Sequence, residues 1–94
     1  MNVELKNELM KLNHDNLISN LQKLVSKERK LKTEILHYLW VIHQKRIFAE
    51  LSYSSLFEFC MKHLGYTEAE SQRRISAMRL LGEIPEIETK ISEG

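Results

Sequence analysis

The chain is poor in the residues that make turns, cross-links and membrane spans. Its 94 residues include three glycines, one proline and one cysteine. So few turn residues argue against a fold of many short strands, and a single cysteine cannot form an internal disulfide. The longest apolar run, residues 38–42, is too short to cross a bilayer. The first residues also lack the apolar stretch of a signal peptide. We therefore expect a cytoplasmic protein with no membrane partner.

An excess of one charge sign is also missing from the chain as a whole, but not from its parts. The net charge is +1. Residues 20–79, however, contain eleven Lys and Arg against six Glu, whereas residues 80–94 contain one Lys against four Glu. A basic middle region permits a polyanionic partner without requiring one.

The chain is rich in Leu, Glu, Lys and Ile, a composition that predicts an all-α domain. Apolar residues recur at helical spacing along the first half of the chain, at Leu17, Leu21, Leu24, Leu31, Ile35, Tyr38 and Ile42. This pattern predicts one long helix over about 15–49, with two or three short helices packed on its C-terminal half. Because residues 35–42 are apolar on most sides, we expect them to be buried.

The predicted core joins that half of the long helix to the short helices. Its members are Leu39, Ile42, Phe48, Leu56, Phe57, Cys60, Ile75 and Met78. On this interpretation, Phe57→Ala costs about 3–5 kcal/mol.

For domain organisation, we expect a lead-in segment at 1–13 and one helical domain at 14–94. A helix boundary is predicted at Ile84-Pro85, and residues 86–94 have room for one or two more turns. Since no closing element follows, we expect an N-terminal module of a longer protein.

Capping signals divide the second half of the chain into two helices. Ser55 with Glu58, and Thr67 with Glu70, each fit a capping box, in which two side chains bond each other's backbone N–H groups. Gly65 fits the C-cap between them. The segment of about 55–82 is therefore predicted to be a helix-turn-helix-like motif, with helices over about 55–63 and 68–82.

In such a motif the second helix enters the major groove of DNA, where Gln and Arg can contact bases and phosphates. The residues on its outward face are predicted to be Thr67, Glu68, Ala69, Gln72, Arg73 and Ser76. Further contacts, mostly to phosphates, are expected from Lys62, Arg74 and Arg79, with Lys45 and Arg46 as additional candidates. The expected partner is double-stranded DNA, bound weakly and with little sequence preference.

A resemblance adds to this interpretation. The segments YSSLFEFC (53–60), LGYTEA (64–69) and RRISAMRLL (73–81) resemble an N-terminal region of bacterial HNH-endonuclease-like proteins, and more loosely the helix-turn-helix segments of phage and plasmid regulators. The resemblance implies DNA binding ahead of a C-terminal nuclease. The chain departs from these patterns at Leu51-Ser-Tyr53, where the family usually has Leu-Gly-Tyr, and at Arg74, where the motif has an apolar residue. A rotated second helix, with Arg74 beside the first helix, therefore remains open.

The sequence predicts no enzyme. It contains no paired carboxylates, phosphate-binding glycine loop or Ser-His-Asp spacing. His37 and His43 lie on opposite faces of the predicted helix, so a shared metal is not expected. The His–Asn–His site of HNH chemistry is also missing. We expect no metal, no cofactor and no small-molecule substrate.

A second class of function remains open, a helical dimerisation or protein-interaction module that binds no nucleic acid. Glu68 and Glu70 lie where phosphates would approach, and Arg74 has the right spacing to pair with Glu70. The candidate interface is an apolar stripe that short helices cannot reach, formed by Leu17, Leu21, Leu24 and Leu31. Alternatively, residues 1–13 fold back and cover this stripe through Leu5, Leu9 and Leu12.

Overall fold

The fold is all-α, with a long second helix packed against the fifth. A computed structural model describes residues 1–83 and 91, and within them there are five helices and no strand. The helices are α1 (Val3–Met10), α2 (His14–Gln44), α3 (Ile47–Glu50), α4 (Leu56–Lys62) and α5 (Glu68–Glu83). The fold class predicted from the sequence is confirmed.

Asparagine side chains start the first two helices. Asn2 Oδ1 accepts the N–H of Leu5 at 3.1 Å, and Asn13 Oδ1 accepts the N–H of Asn16 at 2.8 Å. Each bond satisfies one of the N–H groups that a helix leaves free at its start. The predicted lead-in at 1–13 therefore includes a helix of its own, and α2 begins within one residue of its expected start.

The long helix ends earlier than the apolar pattern indicated. Helix α2 stops at Gln44, and Arg46 and Ser52 adopt left-handed φ values of 52° and 70° on either side of α3. The prediction of a continuous helix to residue 49 is therefore wrong. No Pro or Gly marks this break. The reversal brings Phe48 into the core, where it is 6% exposed.

Local capping signals were more informative in α4 and α5. Ser55 Oγ accepts the Glu58 N–H at 3.0 Å, and Thr67 Oγ1 accepts the Glu70 N–H at 3.1 Å. Gly65 has φ +77°, the left-handed conformation expected of a glycine C-cap. Each predicted N-cap is confirmed.

The close approach of α5 to α2 depends on a glycine. Gly82 lies in the last turn of α5, which ends at Glu83, one residue beyond the predicted end. A Cβ atom there would lie 2.5 Å from Nε1 of Trp40, so a side chain would have to displace the indole.

The core lies between α4, α5 and the C-terminal half of α2. Its buried apolar members are Leu36, Leu39, Phe48, Leu56, Phe59, Cys60, Ile75, Met78 and Leu81. Phe57 and Ile42, predicted to be buried, are only half-buried. Phe59 takes the central place expected for Phe57, because α4 turns that ring toward α2 and α5.

Helix α2 is less buried than its composition predicted. Tyr38, Trp40 and Val41 are 67%, 39% and 41% exposed, so the expectation that residues 35–42 are buried on most sides is wrong for these three. Among the described residues, α5 and α3 make the main contacts with one side of α2, and the opposite side is exposed.

The expected boundary at Ile84-Pro85 lies outside the described residues, as does most of 86–94. Ile91 is helical, half-buried and packed against the core. None of the described helices is long and apolar enough to cross a membrane.

Candidate nucleic-acid interface

Helix α5 presents one buried face and one polar face. Ser71, Ile75 and Met78 are buried, and Leu81 continues the same face one turn later. The exposed residues Gln72, Ser76 and Arg79 recur at i, i+4 and i+7, which aligns them along one side of the helix.

These three residues line an open cleft of about 530 Å³. The other walls come from the end of α2, from the α2–α3 turn and from the start of α4. The polar residues around the cleft are His43, Arg46, Ser54, Ser55, Gln72, Ser76 and Arg79. None of the described lining residues is acidic. The cleft therefore combines two guanidinium groups with hydroxyl and amide groups.

Arg46 is positioned by its unusual backbone and by an aromatic ring. Its Cζ atom lies 5.5 Å from the centroid of the Phe48 ring, and the His43 ring stacks on the same phenyl ring at 6.4 Å. A guanidinium over an aromatic face is attracted by the ring quadrupole. The left-handed turn at Arg46 thus holds a cation at the mouth of the cleft.

The two cap carboxylates near the motif are bound locally. Glu58 Oε2 accepts both the N–H and the hydroxyl of Ser54, and Glu70 Oε1 accepts the Thr67 N–H at 3.1 Å. These hydrogen bonds lower the pKa of Glu58 and of Glu70 below the ordinary value of 4.5. Both carboxylates remain negative, but each is held against the N–H groups of its own helix start.

The neighbouring arginines differ in their surroundings. Arg73 is exposed, whereas Arg74 is half-buried, with Cζ 4.5 Å above the Tyr66 ring. Arg74 Nε is buried without a hydrogen-bond partner among the described atoms. Both arginines border a second hollow, shared with Lys32 and Leu36. The sequence left open a rotated second helix with Arg74 beside the first helix of the motif. In the structure Arg74 is turned inward, onto Tyr66 and toward Lys32 and Leu36 of α2, so it does not belong with the outward contacts.

Two other predicted contacts lie apart from the cleft. Thr67 is exposed but its hydroxyl caps α5. Lys62 Nζ lies 3.3 Å from Glu58 Oε1 in an i,i+4 pair at the far end of α4. Of the expected DNA contacts, the cleft therefore brings together Gln72, Ser76, Arg79 and the additional candidate Arg46, while Arg73 lies on an adjacent side.

Sequence reasoning missed His43, Ser54 and Ser55 as cleft residues. Ser55 carried a signal, but it indicated a cap. Ser54 carried none, because its place in the cleft depends on the break after α2. His43 carried none either, because it lies in the last turn of α2 and reaches the cleft through the packing of α2 against α5.

The apolar stripe of the alternative function is largely exposed. Leu21, Leu24 and Leu31 are 60%, 61% and 59% exposed, while Leu17 is half-buried. Helix α1 buries none of its own residues. Folding of residues 1–13 over the stripe, the other arrangement left open by the sequence, is therefore not observed.

Other chemistry has little basis in the described part of the chain. Cys60 is fully buried, and burial raises the pKa of its thiol, which disfavours the reactive thiolate. No group of three or more His, Cys, Asp or Glu side chains among residues 1–83 and 91 is placed to hold a metal ion.

Comparison of the chain with protein-family models, curated proteins and solved structures finds no match. The resemblance to the HNH-associated region therefore rests on the quoted sequence segments alone.

Proposed function

We propose that the chain is a DNA-binding module, which binds duplex DNA weakly and with low specificity through α5 and the adjoining cleft. On its own it has no catalytic role. It would bring an attached or partner activity to DNA.

The observation that supports this proposal is the alignment of Gln72, Ser76 and Arg79 on the exposed side of α5. Together with Arg46 they line a cleft without described acidic residues. Arginine guanidinium groups bind phosphate oxygens through paired N–H donors. Gln72 lies in the second turn of α5, and a glutamine there can pair with the major-groove edge of adenine. Glu58 and Glu70 keep the negative charge that opposes phosphate binding, but each carboxylate is hydrogen-bonded at the start of its own helix.

The decisive measurement is duplex binding by a variant that lacks both cleft guanidinium groups. Arg46→Asn combined with Arg79→Gln removes two charges, and asparagine tolerates the left-handed backbone at position 46 better than most residues. Each lost phosphate contact should reduce the slope of log affinity against log salt by about 0.9. We therefore expect a slope smaller by about 2 and at least tenfold weaker binding at low salt, measured by fluorescence anisotropy with a mixed-sequence duplex.

Lys6→Gln combined with Lys11→Gln is the matched control, because it removes the same charge from exposed sites outside the motif. This control should bind within about twofold of the wild type. Equal affinity of the cleft variant and the wild type would exclude the cleft as a DNA site. An equal loss of affinity in both variants would show that the overall charge of the protein attracts DNA and that the cleft is not the binding site.

A helical interaction module is the second candidate, favoured by the exposed leucines of α2. Single exposed apolar residues are ordinary, but several in register on one helix mark a surface for another protein. If this is the function, the wild type should show no measurable duplex binding at low salt but should still associate with another protein chain.

A further inference from the structure

One side of α2 carries an apolar seam with a seven-residue repeat. Leu17, Leu21, Leu24, Glu28, Leu31, Ile35, Tyr38 and Ile42 are spaced alternately by four and three residues. Such spacing keeps a seam facing a partner helix along a left-handed supercoil. Glu28 is the single polar position in it.

The two ends of this seam have different shapes. Toward the N-terminus of α2 it is a bare ridge, with Leu21 and Leu24 about three-fifths exposed at 60% and 61%. Toward the C-terminus it forms the floor of an apolar groove of about 460 Å³, walled by Phe59, Leu64 and Tyr66. When two copies are related by a two-fold axis, the ridge of each copy can pack into the groove of the other.

We propose that two copies of the chain pair through antiparallel α2 helices, so that the ridge of each lies in the groove of the other. The proposed register sets Leu17 opposite Ile42 of the second copy and Leu21 opposite Tyr38 of the second copy. It continues with Leu24 opposite Ile35 of the second copy. Glu28 meets Leu31 of the second copy next to the two-fold axis. This pairing does not depend on DNA binding.

Charge selects the antiparallel direction. A parallel pair in register would set Glu28 against Glu28 of the second copy, and Lys27 against Lys32 of the second copy. Like charges at these core and flanking positions oppose pairing. In the antiparallel register Lys27 instead flanks Glu34 of the second copy, and symmetry makes this contact twice.

Burial of Glu28 in the seam opposes association, and the nearby Lys32 reduces this unfavourable effect. Its carboxylate lies 3.9 Å from Lys32 Nζ on the next turn of the same helix. A single polar residue in an apolar seam weakens association but fixes register. We therefore expect Glu28→Leu to strengthen self-association and Leu24→Glu to abolish it.

Sedimentation equilibrium over a micromolar range tests the interface. The wild type is expected to dimerise and Leu24→Glu to be monomeric. In dilute solution, where both are monomers, their helix content by circular dichroism should be equal, because Leu24 is exposed. Ser26→Glu places the same residue on the exposed surface of α2 outside the seam and is expected to dimerise as the wild type does. A monomeric wild type at high micromolar concentration would overturn the proposal, as would a dimeric Leu24→Glu.

Charge reversal tests the direction separately. In the antiparallel pair, Lys27→Glu faces Glu34 of the second copy and should raise the dissociation constant about fivefold. Combining Lys27→Glu with Glu34→Lys should restore the dissociation constant to within about twofold. In a parallel pair Lys27→Glu would relieve repulsion and lower that constant. A lowered or unchanged dissociation constant therefore overturns the antiparallel register, whatever the DNA measurements show.

Discussion

At the scale of single residues, the neighbouring rings of Phe57 and Phe59 show where sequence patterns lose resolution. Both rings lie in a helix of seven residues, too short for its periodicity to decide which ring points inward. The tertiary contacts decide it. Phe59 is 4% exposed and makes an edge-to-face contact with Tyr53 at 5.8 Å and a stacked contact with His63 at 5.0 Å.

The stability cost first expected for Phe57 therefore belongs to Phe59. We expect Phe59→Ala to lower the free energy of unfolding by about 3–5 kcal/mol, because it leaves a cavity and removes the ring contacts. Phe57→Ala, at a half-buried position of the same helix, should cost less than half as much. Urea denaturation of both variants makes the comparison. A larger loss of unfolding free energy for Phe57→Ala than for Phe59→Ala would contradict this assignment and indicate that Phe57 is the central core ring.

At the scale of elements, the starts of α4 and α5 could be predicted and the end of α2 could not. A capping box is a local signal, since both partners lie within four residues and the bonds form whatever the rest of the chain does. The end of α2 depends on a left-handed Arg46, a conformation that arginine has no preference for. This conformation accompanies the burial of Phe48, a tertiary contact that the local sequence does not signal. The cleft as a whole could not be predicted for the same reason, because Arg46, a candidate contact from the sequence, joins the α5 residues there through this turn.

The caps also make stability depend on pH. Hydrogen bonds from Ser54 lower the pKa of Glu58, and those from Thr67 lower the pKa of Glu70, relative to the ordinary value of 4.5. The unfolded chain therefore binds protons more readily than the folded one. The stabilisation is fully present above the unfolded pKa and is lost as the pH falls through the lower folded value.

Thermal melts across this acidic range should show a falling midpoint for the wild type. Glu58→Gln combined with Glu70→Gln should flatten that fall, because glutamine can still accept the N–H bonds but has no carboxyl proton to bind. Retention of the full acid dependence in the double variant would assign it to other carboxylates.

At the scale of the whole molecule, α2 belongs to two environments. The buried residues of this 31-residue helix begin at Thr33. In the segment before it, residues 14–32, only Leu17 and Val25 are half-buried and the rest are exposed. Most of the stability of a helix in a protein comes from the packing of its apolar face, which this segment largely lacks. The C-terminal half of α2 is instead fixed mainly by α5 and α3. One continuous helix should therefore contain two levels of local stability.

Amide hydrogen exchange measured at two protein concentrations tests this division. In dilute solution, where the monomer prevails, residues 14–28 should exchange much faster than residues 33–44, because local opening of the exposed end breaks no core contact. At concentrations that favour the antiparallel pair, the exposed end would gain a groove to lie in, and its protection should rise with concentration. Leu24→Glu supplies the control, since its protection should not depend on concentration. Uniform protection along α2 in dilute wild type would mean that contacts other than self-association stabilise its N-terminal half.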